Sequence, residues 1–160
     1  MNYPLQIAKH IREIHSGGNW TSANVQEQLA GITWQQANKR VFNFNSIAAL
    51  VYHMNYYVVA ISQVLRGKAL SSKDELSFDH PQITSKETWE KLIRKTLTDA
   101  ENLATLVEQL PENKLAENFS QPKYGSYDRN LHGVIEHLHY HLGQVVLIKK
   151  IILQEPAPLN

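Results

Sequence analysis

Ile47, Val51, Met54, Val58, Ile61 and Leu65 recur at alternating steps of four and three residues. That interval returns each side chain to the same side of an α-helix, so the six form one apolar seam. A second seam runs through Trp89, Leu92, Thr96, Ala100, Leu103, Val107 and Leu110. Seams of this kind are buried against other helices, which constrains the chain to helix-on-helix packing. No segment combines β-branched alternation with hairpin turn residues, so strands are not expected.

The helix boundaries follow from local chemistry. Pro4 opens a first helix to about His15, with Ile7, Ile11 and Ile14 on its inner face and Gly17-Gly18 as its stop. Ser22 is placed to cap a short helix through Ala30, and Thr33 with Gln36 forms a capping box for another to about Arg40. Phe42-Asn43-Phe44-Asn45 reads as a turn with buried rings. The second long helix is expected over about Ser46 to Arg66, capped by Asn45 or Ser46 and closed by Gly67. Thr84 with Glu87 is expected to open a third, about Ser85 to Leu110, ended by Pro111. Asp128 is placed to cap the last, about Arg129 to Leu153. Residues 67–84 form a polar connection long enough to cross the end of a bundle. The expected class is therefore all-α: a four-helix bundle with one long crossover between the second and third long helices. With 160 residues, a single domain over 1–160 is expected.

Composition removes several function classes. Sixteen Lys+Arg against fifteen Asp+Glu give a net charge of +1, which supplies no basic excess for nucleic acid or an anionic membrane surface. The absence of Cys excludes disulfides, Cys-ligated zinc, iron–sulfur clusters and a cysteine nucleophile. The apolar stretch Val145 to Leu153 is interrupted by Lys149-Lys150, and the N-terminal residues lack the pattern of a secretory signal. A cytoplasmic protein without a membrane span is expected.

Eight histidines stand out against that background. His137 and His141 sit four residues apart on the last helix, about 400° around it, so their rings lie on one face a turn apart. This spacing can chelate one metal ion. Gly133, Gln144 and Ile148 share the face, and the two mid-helix glycines, Gly133 and Gly143, suggest a need for space. His139 and His132 point elsewhere. A catalytic zinc-type site needs a third protein ligand. His10, His15, His53 and His80 are the candidates, and His53, on the flank of the second helix's seam, is the best placed. Taken alone, an i,i+4 histidine pair is more often a surface pair than a ligand pair. A second Glu-x-x-His is missing, which speaks against a di-iron centre, and so is His-Glu-x-x-His, which speaks against a zincin protease.

The segment Leu131 to Val145, with its string Tyr140-His141-Leu142-Gly143-Gln144, resembles the C-terminal signature of the DinB/YfiT-like family of metal-dependent enzymes. Asn19-Trp20, Ser46 to His53, Leu65-Arg66-Gly67 and Trp89 are similar to further family motifs, so the likeness covers most of the chain. It implies an up-down-down-up four-helix bundle and places the family's three metal histidines on His53, His137 and His141. It departs from the pattern at His139, where members commonly carry an acidic residue. The resemblance further implies a divalent ion, zinc or nickel, a small-molecule substrate, a low-molecular-weight thiol as cosubstrate, and a homodimer. The expected activity is S-transfer or hydrolysis. Tyr140 and Gln144 are expected near ligand or substrate, and no carboxylate on the His137/His141 face offers a general base. The alternative is a non-catalytic helical domain that acts through dimerisation or partner binding, its histidines binding metal structurally or simply packing.

Overall fold

The computed structural model describes residues 2–154. Met1 and residues 155–160, which the expected 1–160 domain includes, lie outside the described residues. The described chain is all-helical: α1 (Tyr3–Ser16), α2 (Val25–Leu29), α3 (Trp34–Asn38), α4 (Ile47–Leu65), α5 (Lys86–Glu108) and α6 (Tyr127–Gln154). Short 3-10 turns lie at Asp74–Leu76, Glu112–Ala116 and Pro122–Tyr124. Among the described residues no strand forms, only an isolated bridge between Asn118 and Ser126.

Each long helix has two long neighbours: α1 packs on α5 and α6, and α4 packs on the same two. The reason is apolar burial. Ile7, Ile11 and Ile14 of α1, Leu50, Met54 and Val58 of α4, Leu103 and Val107 of α5, and Leu131 and Leu138 of α6 are all essentially buried. Each such side chain removed from water contributes on the order of 1.5–3 kcal/mol. Polar ties fix the register of this packing. Trp89 Nε1 donates to Ile32 O at 2.9 Å and pins α5 to the turn between α2 and α3. Arg12 of α1 bonds Glu101 of α5 at 2.7 and 2.9 Å and also pairs with Glu108. These bonds hold both carboxyls below the usual carboxylate range.

Several expected caps shift. Asn24, not Ser22, caps α2, accepting from Glu27 N at 3.0 Å, while Ser22 takes a positive φ of 56°. Ser46 caps α4. The capping box of α5 is Ser85 with Thr88, one residue beyond Thr84 and Glu87. Ser126 Oγ accepts from Arg129 N at 3.1 Å, so Ser126 caps α6 and Asp128 falls within its first turn, where a carboxylate suits the helix dipole.

The rings of Phe42 and Phe44 are not buried. Phe42 has a φ of 50° and is 82% exposed, and the two rings meet edge to face instead. Trp20 is wholly exposed. Among the described residues α4 is the one helix long and apolar enough to cross a membrane by length and composition, a span that Val145 to Leu153 does not supply. Most of its window is buried inside the protein, because α4 is packed by α5, α6 and α3.

Two helix substitutions should move stability in opposite directions. Leu103→Ala, at a fully buried site, should lower stability by about 2–5 kcal/mol. Gly143 is exposed, and a Cβ there would meet nothing within 4 Å. Gly143→Ala should therefore raise stability by about 0.5–1 kcal/mol. Denaturant titration measures both, and a loss of stability in Gly143→Ala would show that the glycine is required.

Candidate metal centre

The packing of α4 on α6 brings His53, His137 and His141 together. One ligand atom from each lies within 4.8 Å of the others. His53 and His141 are buried and His137 is half-buried. His53 Nε2 and His137 Nε2 are 2.9 Å apart. Two zinc–imidazole bonds of about 2.0–2.1 Å span up to about 4.2 Å, so both nitrogens can reach one ion.

What stands behind the rings decides which nitrogen faces inward. His53 Nδ1 lies 3.0 Å from Ser77 Oγ, and that hydroxyl already donates its hydrogen to Asp74 O at 2.6 Å. Ser77 therefore accepts, His53 carries its proton on Nδ1, and its Nε2 is left bare toward the other rings. Gln144 Oε1 accepts from His141 Nδ1 at 2.8 Å, which frees His141 Nε2 in the same way. His137 Nδ1 is buried without a hydrogen-bond partner among the described residues, and without a metal its Nε2 donates to the bare His53 Nε2 at 2.9 Å. Partners of the Ser77 and Gln144 kind orient metal-binding imidazoles and raise their basicity.

Electrostatics keep the rings neutral, the state a ligand needs. Burial, and then the neighbouring His141, pushes His53 down to about 4, against the opposing pull of Ser77 and the Asp74 carboxylate. Burial, and then His141 and His53, pushes His137 down to about 4. Burial also lowers His141, with Gln144 opposing.

The crossover between α4 and α5 closes the site. Phe78 stacks on His53 with centroids 3.9 Å apart and planes 8° from parallel. Tyr56 Oη accepts from Lys73 N at 2.8 Å and ties the same segment to α4. Tyr57 packs edge-on to His53 and His137 and donates its hydroxyl to Asp74 Oδ1 at 2.5 Å. Burial and that carboxylate push the Tyr57 hydroxyl up to about 12. Asp74, Ser77 and Phe78 were not legible on any helix face. They arrive from a polar loop distant in sequence, and only a Ser or Asp one turn from the ligands would have signalled such a role.

The remaining histidines stand apart. His15 is buried on α1 with Nδ1 bonded to Ile11 O at 2.8 Å. His10 is exposed, and His139 is lowered by burial and by His10, so it belongs to another side of α6. His80 Nδ1 bonds Pro81 O, and the ring lies half-buried against Tyr52. His132 bonds Asp128 O. Gln144 reaches His141, whereas Tyr140 is 65% exposed and only abuts that ring edge-on. No family model matches the chain, and neither does a curated protein or a solved structure.

The lowered imidazoles predict acid sensitivity. In the metal-free protein the ring resonances of His53 and His137 should titrate near pH 4. The unfolded chain, with an ordinary histidine near 6.5, takes up protons first as the pH falls. Stability should thus be full above about pH 6.5 and decline from there toward 4. Titration of either ring near 6.5 by NMR would contradict the burial described.

Proposed function

We propose that this protein is a metal-dependent enzyme of the DinB/YfiT-like kind, acting on a small molecule. His53, His137 and His141 hold one divalent ion, zinc or nickel. The convergence of three neutral imidazoles, two of them held from behind by Ser77 and Gln144, carries this reading. Three protein ligands leave a coordination position open, which distinguishes a catalytic site from a closed structural one. An ion held this way supplies Lewis acidity to water or to an external small thiol. The absence of Cys supports a thiol from outside the chain, in a transfer to an electrophilic substrate, with hydrolysis as the water-driven counterpart.

The chain's own residues orient and shield. Ser77 and Gln144 fix ring orientation, Phe78 keeps water from one face of His53, and Tyr57 keeps its proton on Oη as a donor to Asp74. We read the architecture as an up-down-down-up four-helix bundle. The long connection between α4 and α5 and the pairing of each long helix with two others support this. We further take the protein as a cytoplasmic homodimer. Its lack of Cys suits a reducing compartment, and exposed Phe44 and Leu147 beside one hollow suit a self-contact.

Metal analysis of the purified chain tests the centre. One zinc or nickel ion per chain is expected, and His53→Ala, His137→Ala or His141→Ala should lower affinity by well over tenfold. His139→Ala should retain the ion, and Ser77→Ala should weaken it about 10–100-fold. A chain that takes up neither metal, or ligand variants that bind like the wild type, would overturn the reading. With the metal bound, turnover of small thiols with electrophiles, abolished by a chelator, is the expected activity.

A further inference from the structure

His137 also forms one wall of a cavity of about 460 Å³ between α4, the Pro122–Tyr124 turn and the first turns of α6. That volume suits a metabolite-sized ligand. Tyr57 lines it from α4, Lys123 from the turn, and Arg129, Asn130 and Gly133 from α6. Two cations and no carboxylate line it.

One of these cations lies against a glycine of the helix. Gly133 has no positive φ, so its backbone does not demand glycine, and a mid-helix glycine costs about 1 kcal/mol relative to alanine. A Cβ at this position would stand 3.2 Å from Arg129 Nη1. The missing side chain therefore gives the guanidinium room to lie along the turn that separates it from His137. Its acidic neighbour, Glu136, is 3.6 Å away, and both side chains are about two-thirds exposed (66% and 70%). An ion pair that long and that wet is weak, so a ligand can compete for the guanidinium. Asn130 Nδ2 donates to Tyr124 O and Ser126 O, both at 2.8 Å, which ties the turn bearing Lys123 to the helix bearing Arg129. Lys123 Nζ sits 4.8 Å over the Tyr124 ring, at the rim of the same cavity.

We propose that this cavity is a subsite for a small organic anion, a molecule bearing a carboxylate or phosphate group that Arg129 and Lys123 hold while its uncharged part lies against Tyr57 and His137. A planar guanidinium offers either group two parallel hydrogen bonds, and the lysine adds a point charge. The use of this anion as substrate rests on the histidines being a metal centre; its binding does not.

Benzoate, phenyl phosphate and the neutral benzamide are the probes, titrated into metal-free and zinc-treated full-length protein by NMR and calorimetry. Either anion should shift the amide signals of Tyr124, Gly133 and His137, and benzamide should bind at least tenfold more weakly. The tighter of the two anions assigns the charged group. Combined Lys123→Ala and Arg129→Ala should weaken anion binding tenfold or more with zinc content unchanged, and Arg129→Lys should keep part of the affinity. Equal binding of benzamide, wild-type anion affinity in the double variant, or no shifts with either anion would overturn the subsite. If zinc fails to bind while the anion preference holds, the subsite stands and the metal reading falls; if zinc binds without anion preference, the reverse follows.

Discussion

The close approach of α4 to α6 governs the rest of the site. Met54 and Val58 of α4 and Leu131 and Leu138 of α6 are buried, and the same packing brings three imidazoles against one another, two of them buried and His137 half-buried. Desolvation of a cationic ring is unfavourable, so burial is the largest cause of their neutrality, with the mutual repulsion of the rings adding to it at His53 and His137. The centre is thus a by-product of the same apolar burial that holds the helices. The three histidines come from two helices that pack on one another, and such preorganisation is what a metal site on a rigid scaffold would require.

Around that contact the polar crossover acts as a second wall. Ser77 is almost fully buried although it lies in a loop, because its hydroxyl bridges Asp74 O and His53 Nδ1. Tyr56 and Tyr57 anchor the loop to α4 through their hydroxyls. A loop tied down in this way positions the His53 imidazole, and its Phe78 covers one face of that ring. The cavity beside His137, which Tyr57 also lines, carries two cations and no carboxylate, whereas one face of the His53 ring is covered by Phe78.

The glycines of α6 show how differently two similar residues can be used. Gly133 makes room for a neighbouring guanidinium, whereas Gly143 faces open space. Both read from sequence as positions needing space, and the pattern could not separate them, because the difference lies in where the Arg129 side chain lies.

The sequence by itself determined the helical class, the extents of the four long helices to within a few residues, and the two seams that became the core. It also placed His137 and His141 on one face, since a helix of 3.6 residues per turn leaves no other arrangement at that spacing. His53 was legible as the best placed of four candidates for a third position, ahead of His10, His15 and His80, and the α4–α6 packing is what brings it against His137 and His141. Caps moved by one or two residues: Asn24 in place of Ser22, Ser85 in place of Thr84 and Ser126 in place of Asp128, because several residues able to cap lie close together at each start. Phe42 and Phe44 looked like core and are surface, because the left-handed turn at Phe42 is not encoded in hydrophobicity. Ser77, Asp74, Phe78 and the Lys123–Arg129 wall belong to tertiary structure alone. They set residues 74–78 against His53 and Tyr57, and Lys123 and Arg129 beside Tyr57, and no periodicity within one helix specifies what a loop lays against it.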